Sequence, residues 1–213
     1  MDKKNVIVIG ATGLVGSLVV KNLVSDRHVN SIVCFVRKAQ TSSEKKLLYI
    51  ESDLLNFHDY NLVFSEATDV ICCIGTTMKK AKSKKQFLHV DFDIPVLLAT
   101  VAKKYNVNSF SLVSSLGANK NSCLFYLKVK GKLEEKIKSI NFPATLIYRP
   151  SLLVGKRYEI RMFEKTFLKV FRWINLVIPT LIKPTNSFKL AKFMQKQLHA
   201  NNKGVNIFNN NFT

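Results

Sequence analysis

Gly10, Gly13 and Gly16 recur at every third position in NVIVIGATGLVGSLVVKNL, after a short apolar, β-branched run and ahead of a helical pattern. In a strand, loop and helix of this kind the first glycine permits a tight turn. The second lets backbone approach a pyrophosphate, and the third lets the helix pack close to the strand. The unpartnered N–H groups at the start of the helix then bind the anion. The loop Gly10, Ala11, Thr12, Gly13, Leu14, Val15, Gly16 is therefore expected to hold the phosphates of a dinucleotide.

A free ribose 2'-hydroxyl is usually held by an acidic residue at the end of the second strand, and that residue would repel a 2'-phosphate. Here the strand ends Phe35-Val36-Arg37-Lys38. A guanidinium at Arg37 can grip a phosphate bidentately, with Lys38 adding charge beside it, so NADP(H) is expected over NAD(H). The alternative is that both are solvated loop charges. Asp53 and Leu54, in ESDLLNF after the third strand, are placed at the adenine edge, although Asp53 also suits a turn cap. Gly75, Thr76 and Thr77 end the fourth strand and offer a close backbone approach with two hydroxyls.

Tyr126 and Lys130 stand four residues apart, on one helix face. A phenol is a poor proton exchanger at neutral pH, but a nearby cation favours the phenolate. Six Tyr and 27 Lys in 213 residues predict about 0.8 such pairs by accident. The pair takes its meaning from position: it follows Ser114-Ser115 by a dozen residues and opens the helix after the fifth strand. Ser115 or Ser114 can hydrogen-bond a substrate oxygen and orient it.

Positioning these groups requires alternating strands and helices. Strands are expected at Asn5 to Ile9, Ser31 to Val36, Leu47 to Ile50, Asp69 to Ile74, Ser109 to Val113, Ala144 to Tyr148 and Val205 to Phe208. Helices are expected near Leu14 to Leu23, Ile94 to Lys104, Leu124 to Ile140, Tyr158 to Asn175 and Phe188 to His199. Several strands are apolar throughout, as in a parallel sheet covered on both faces. The expected architecture is Rossmann-like, doubly wound α/β in a single domain over 1–213, with 151–204 contributing a small helical pocket or lid region.

Through GATGLVG, CCIGTT, LVSSLGA, YLKVKGKLE and IYRPSLLVG, in that order, the chain resembles the atypical short-chain dehydrogenase/reductases similar to the Tat-interacting-protein oxidoreductase group. The resemblance implies Tyr126 as acid/base, Lys130 holding the nicotinamide ribose, a serine of the pair positioning the carbonyl, and Pro150, Leu152 and Leu153 lining the nicotinamide pocket. Where extended members read V-N before a long helix, this chain has Val90-Asp91. With 63 residues after Pro150, it also has little material for a sugar epimerase's substrate domain.

The chain carries 33 Lys+Arg against 14 Asp+Glu, a formal charge of +19, with 47% hydrophobic residues. Residues 1–78 hold 8 basic and 8 acidic side chains, so the excess lies wholly in 79–213. The dense run Lys79, Lys80, Lys82, Lys84 and Lys85 either steers anions toward the site or is solvated. No nucleic-acid signature accompanies it, so no nucleic-acid partner is expected. From Arg161 to Ile178 a basic amphipathic pattern suits core, a lid or contact with an anionic membrane surface. A homodimer is compatible with the sequence, but no segment specifies one.

Cys34, Cys72, Cys73 and Cys123 show no metal-ligand spacing, and no metal is expected. Adjacent Cys72 and Cys73 should face opposite sides of a buried strand. Glycines interrupt the apolar Val6 to Val20, so it reads as neither signal nor span, and unpaired cysteines suit a reducing compartment. A cytoplasmic location is the resulting expectation. The function expected is hydride transfer between NADP(H) and a small carbonyl or alcohol; the alternative is an NADPH-binding regulatory or scaffold protein with little turnover.

Overall fold

The computed structural model describes residues 3–38, 40–154 and 183–212. The N-terminal part runs β1 Lys4–Ile9, α1 Leu14–Val24, β2 Val29–Val36, β3 Leu47–Glu51, α2 Asn61–Glu66 and β4 Asp69–Cys72. Two short helices follow, α3 Met78–Ala81 and α4 Lys84–Leu88, then a π-helical turn at His89–Asp93 leads into α5 Ile94–Lys104. The chain continues through β5 Ser109–Val113, α6 Phe125–Ile140, β6 Ala144–Arg149 and β7 Leu153–Val154. It closes with β8 Thr185–Asn186, α7 Ser187–His199 and β9 Gly204–Asn209.

Seven strands form one sheet in the order β3-β2-β1-β4-β5-β6-β9, and every pairing is parallel. From β1 the chain winds outward through β2 and β3, then returns to pair β4 on the other side of β1. That reversal opens a crevice at the carboxyl ends of β1 and β4, where such sheets bind ligands.

Alternation along the strands divides the core in two. Val6, Val8 and Ile71 pack with Val19 and Leu23 of α1 and with Leu190, Met194 and Leu198 of α7. On the other face Ile7, Ile9 and Val70 pack with Leu98 and Val101 of α5 and Leu133 and Ile137 of α6. Cys72 belongs to the second cluster while Cys73 packs against the first, as adjacent strand residues must. α7 lies within the span expected to form a pocket region, and its apolar side joins the main core.

Three differences from expectation have physical causes. β4 stops at Cys72, short of Ile74: the Cys73 N–H still donates to Ile9 O at 2.9 Å, but β1 turns away at Gly10 with φ +79 and leaves Ile74 no strand to pair. The lysine run is folded, on α3 and α4, each capped by a hydroxyl, Thr77 Oγ1 accepting from Lys80 N and Ser83 Oγ from Gln86 N. β9 runs from Gly204 to Asn209, longer than the apolar stretch suggested, because it borrows its ladder from β6. The helices expected over Tyr158 to Asn175 and Arg161 to Ile178 lie outside the described residues.

Buried Asp26 ties the end of α1 to the end of α7. Its carboxylate accepts from Gln195 Nε2 at 2.7 Å and from the His28 N–H at 3.0 Å, and lies 2.7 Å from His199 Nε2. Burial opposes its ionisation, yet the hydrogen bonds from Gln195, His199 and His28 outweigh burial and hold its carboxyl below the ordinary aspartate range. Its contribution is therefore complete above the unfolded value and lost as pH falls through the lower folded one. The stability gap between wild type and Asp26→Asn in urea titrations should be constant near neutrality and shrink below about pH 4; a gap that widens on acidification would contradict the assignment. A Cβ at Gly16 would come within 2.2 Å of Gly10 O. Gly16→Ala should thus cost about 3 kcal/mol, read as a lower urea midpoint, and an unchanged midpoint would show that the loop relaxes freely.

Candidate active site

The glycine loop is shaped by what cannot fit. A Cβ on Gly10 would lie 2.6 Å from the Cys73 carbonyl carbon, so β1 and β4 meet backbone to backbone at this point. Gly16 sits equally close under Gly10 O, whereas the nearest atom to a Cβ on Gly13 is that same oxygen at 3.1 Å. Gly10 and Gly16 are thus committed to packing, and Gly13 leaves its outer side open at the helix start. Gly13 caps α1 without a side-chain hydrogen bond, and no acidic residue stands in the first turn. Free N–H groups and an uncancelled helix dipole there suit a phosphate. Ala11 and Val15 turn their side chains into the core, so their backbone is what they offer a cofactor; Thr12 is exposed.

Arg37 and Lys38 are exposed beyond β2. Arg37 forms one wall of a cleft of about 570 Å³ shared with Glu51, Ser52, Asp53, Asn56, Asp59 and Tyr60. Asp53 acts as a turn cap, its Oδ1 accepting from Leu55 N at 2.8 Å, and it lines the cleft as well. Leu54 takes φ +67 and buries its side chain in the core with Phe57 and Phe64, outside the lining of the cleft. Glu51, Asp59 and Tyr60 were not anticipated; their positions depend on the turn after β3, which no spacing rule in the sequence specifies.

At the end of β4 the loop rises over a buried ion pair. Lys130 Nζ lies 2.8 Å from Asp91 Oδ1, and both side chains are almost wholly buried, 4% and 1% exposed. The other Asp91 oxygen accepts from the Thr76 N–H at 2.7 Å. Gly75 lies exposed directly above: a Cβ there would meet Asp91 Oδ1 at 3.3 Å and Lys130 Nζ at 3.8 Å. Burial disfavours the ammonium, but Asp91, with Tyr126 adding to it, outweighs burial and raises Lys130 above the ordinary lysine range. Thr77 is occupied as the α3 cap. Asp91 sits in the π-helical turn, a distortion that directs it inward ahead of α5.

Tyr126, Lys130 and Glu134 recur every fourth residue and line one face of α6. Each is tied to a different element. The Tyr126 ring packs edge-on to Phe87 of α4 at 5.9 Å. Glu134 accepts from Ser114 Oγ at 2.5 Å and from Arg149 Nε and Nη2 at 3.0 and 2.6 Å. Ser114 is thereby turned toward α6, while half-buried Ser115 donates to Leu116 O at 3.3 Å, a long contact. Leu116 N donates to Pro150 O at 2.8 Å, which sets the segment of Pro150, Leu152 and Leu153 beside the serines. Glu134 and Arg149 were likewise missed; Glu134's place one turn beyond Lys130 was the available signal.

The NAD(P)H-binding family matches residues 10–166. Protein FMP52, mitochondrial, of Meyerozyma guilliermondii is 36% identical over 189 residues, covering 87% of this chain and 82% of that one. Protein HTATIP2 of Rattus norvegicus is 30% identical over 174 residues, covering 80% and 72%. Among solved structures, MoeE5 in complex with UDP-glucuronic acid and NAD superposes with a TM-score of 0.73 at 16% identity over 95% of this chain and 75% of that one, a likeness of fold. The cytoplasmic expectation is corrected here, because relatives from several yeasts are named mitochondrial. Unpaired cysteines suit either compartment and so do not decide between them. With the glycine loop, the Gly75 turn and the Tyr126, Lys130 face assembled at one sheet edge, the chain belongs to the NAD(P)H-binding family and, within it, to the atypical short-chain dehydrogenase/reductases that include HTATIP2 and FMP52.

Proposed function

We propose that the protein is an NADP(H)-dependent oxidoreductase that moves hydride to or from a small carbonyl or alcohol, with Tyr126 exchanging the proton. One arrangement carries the reading: the Lys130 ammonium is fixed beneath Gly75, and α6 brings Tyr126 to the same sheet edge one turn earlier. The bound cofactor would supply the hydride. The N–H groups from Gly10 to Gly16 would hold the pyrophosphate, Arg37 and Lys38 the 2'-phosphate, and Lys130 the nicotinamide ribose. Asp53 and Leu54 would border the adenine. Gly75, Thr76 and Thr77 would flank the nicotinamide end from one side and Pro150, Leu152 and Leu153 from the other. Ser115, whose hydroxyl is less committed than that of Ser114, would orient the substrate oxygen.

The exposed lysines of α3 and α4 follow directly on the Gly75 turn, which supports an anionic carbonyl compound as substrate. Mitochondrial residence is supported by the names of the fungal relatives.

Calorimetric titration at fixed salt should show NADPH binding more tightly than NADH. Arg37→Ala should weaken NADPH about tenfold or more and leave NADH nearly unchanged; equal losses for both would place Arg37 outside the 2'-phosphate site. NADPH oxidation across a panel of aldehydes, ketones and quinones should identify a substrate, and Tyr126→Phe should lower its turnover by about 100-fold to 10,000-fold with binding retained. Tight binding without turnover of any panel member would instead favour a nucleotide-binding regulator.

A further inference from the structure

We infer that Thr185 and Asn210 are positioning residues for the nicotinamide end of the dinucleotide site: together they hold the Pro150 to Leu153 segment in place without touching the cofactor. This rests on the assignment, proposed above, of that segment as one wall of the nicotinamide pocket. Its backbone is held by a few separate hydrogen bonds. Pro150 O accepts from Leu116 N at 2.8 Å, and Leu152 O accepts from Thr185 N at 2.8 Å. Between them, the Ser151 N–H donates to Thr185 Oγ1 at 2.9 Å and, at a longer 3.3 Å, to Asn210 Oδ1. A backbone donor that a neighbouring strand would normally satisfy depends here on two side chains.

Asn210 uses both ends of its amide. Its Oδ1 also accepts from the Thr185 hydroxyl, and its Nδ2 donates to Lys183 O at 2.8 Å. Its own N–H carries the pairing of β9 with β6 one step further, donating to Arg149 O at 3.1 Å. The chain leaves this point through β7 and returns through β8, two residues each and paired in parallel. One residue just past β9 therefore grips the chain where it leaves β6 and again where it comes back. Asn210 does so at φ +26, a left-handed conformation that asparagine tolerates better than most residues. Thr185 is 4% exposed, so its hydroxyl is shielded from water that might replace these partners.

Packing fixes only part of the wall. Leu153 packs against the first core cluster, whereas Leu152 is half-buried and stands outside the core clusters of the described residues. The place of Leu152 is left to the backbone on either side of it, which Thr185 and Asn210 hold. A wall fixed before the ligand arrives spares the complex the entropy of ordering it. Loosening it should therefore weaken the hold on the nicotinamide. The adenosine half, bound at the glycine loop and the Arg37 cleft, should feel nothing.

The test is calorimetric titration of the full-length protein with NADPH against 2'-phospho-ADP-ribose, and with NADH against ADP-ribose, so that the members of each pair differ in the nicotinamide alone. Thr185→Val removes the hydroxyl and keeps the shape. It should weaken the coenzyme about fivefold to tenfold and the nicotinamide-free analogue less than about twofold. Thr185→Ser, which restores the hydroxyl, should stay within about twofold of wild type on both. Asn210→Ala should repeat the selective loss, and it serves if Thr185→Val does not fold. Equal losses on coenzyme and analogue, no loss on either, or a Thr185→Ser as weak as Thr185→Val would overturn the inference. Leu152→Ala examines the wall itself and should lose the coenzyme selectively too. A selective loss in Leu152→Ala alone would keep the wall and overturn the role of Thr185 and Asn210; its absence there would overturn the wall and the inference with it. Binding is read without turnover, so failure to find a substrate would count against the oxidoreductase reading and leave this result standing.

Discussion

The backbone contact between Gly10 and Cys73 is the constraint on which the rest of the site depends. Two parallel strands there approach so closely that a methyl group on the first would overlap a carbonyl of the second. Gly10 must turn left-handed to escape, and the turn ends β1, strips Ile74 of a partner and so ends β4. Gly16 completes the knot by seating α1 on the carbonyl of Gly10. Everything chemical follows from those exits. The start of α1 presents free N–H groups, and the chain leaving β4 arches over a buried charge pair as Gly75.

That charge pair belongs to a pattern along α6. The face carrying Tyr126, Lys130 and Glu134 presents phenol, ammonium and carboxylate in successive turns, and the two buried charges each find an opposite charge on another element. Isolated, either would cost several kcal/mol to bury. Paired, they fix α6 against the π-helical turn on one side and against β6 on the other. The helix that carries the proposed chemistry is thus held in register by charges that do not themselves need to react.

Much of this was legible in the sequence, and the reasons are physical. The sheet was readable because strands buried on both faces must be largely apolar, as VIVI and VICC are. The glycine loop was readable because its steric demands admit one residue type at fixed intervals. Contacts between distant segments were harder. Lys130 and Asp91 are 39 positions apart, and Asp91 appeared only as a departure from a familiar asparagine until the π-helical turn brought it inward. Glu134 with Arg149 was hidden for a similar reason: an acidic residue in a polar helix reads as solvated until a neighbouring strand supplies its partner. Asp53 showed the limit of a composition argument, since the turn cap and the cleft wall turned out to be one side chain.

The placement of α7 bears on how the chain is made. α1 is synthesised well before α7, yet Val19 and Leu23 on its inner side are covered by Leu190, Met194 and Leu198 of α7. β9, later still, completes the sheet beyond β6. Until those segments arrive, a growing chain displays an oily flank of helix and sheet, the sort of surface that chaperones bind and that invites aggregation. α1, and with it the glycine loop that opens it, gains its full packing only when α7 has docked against it.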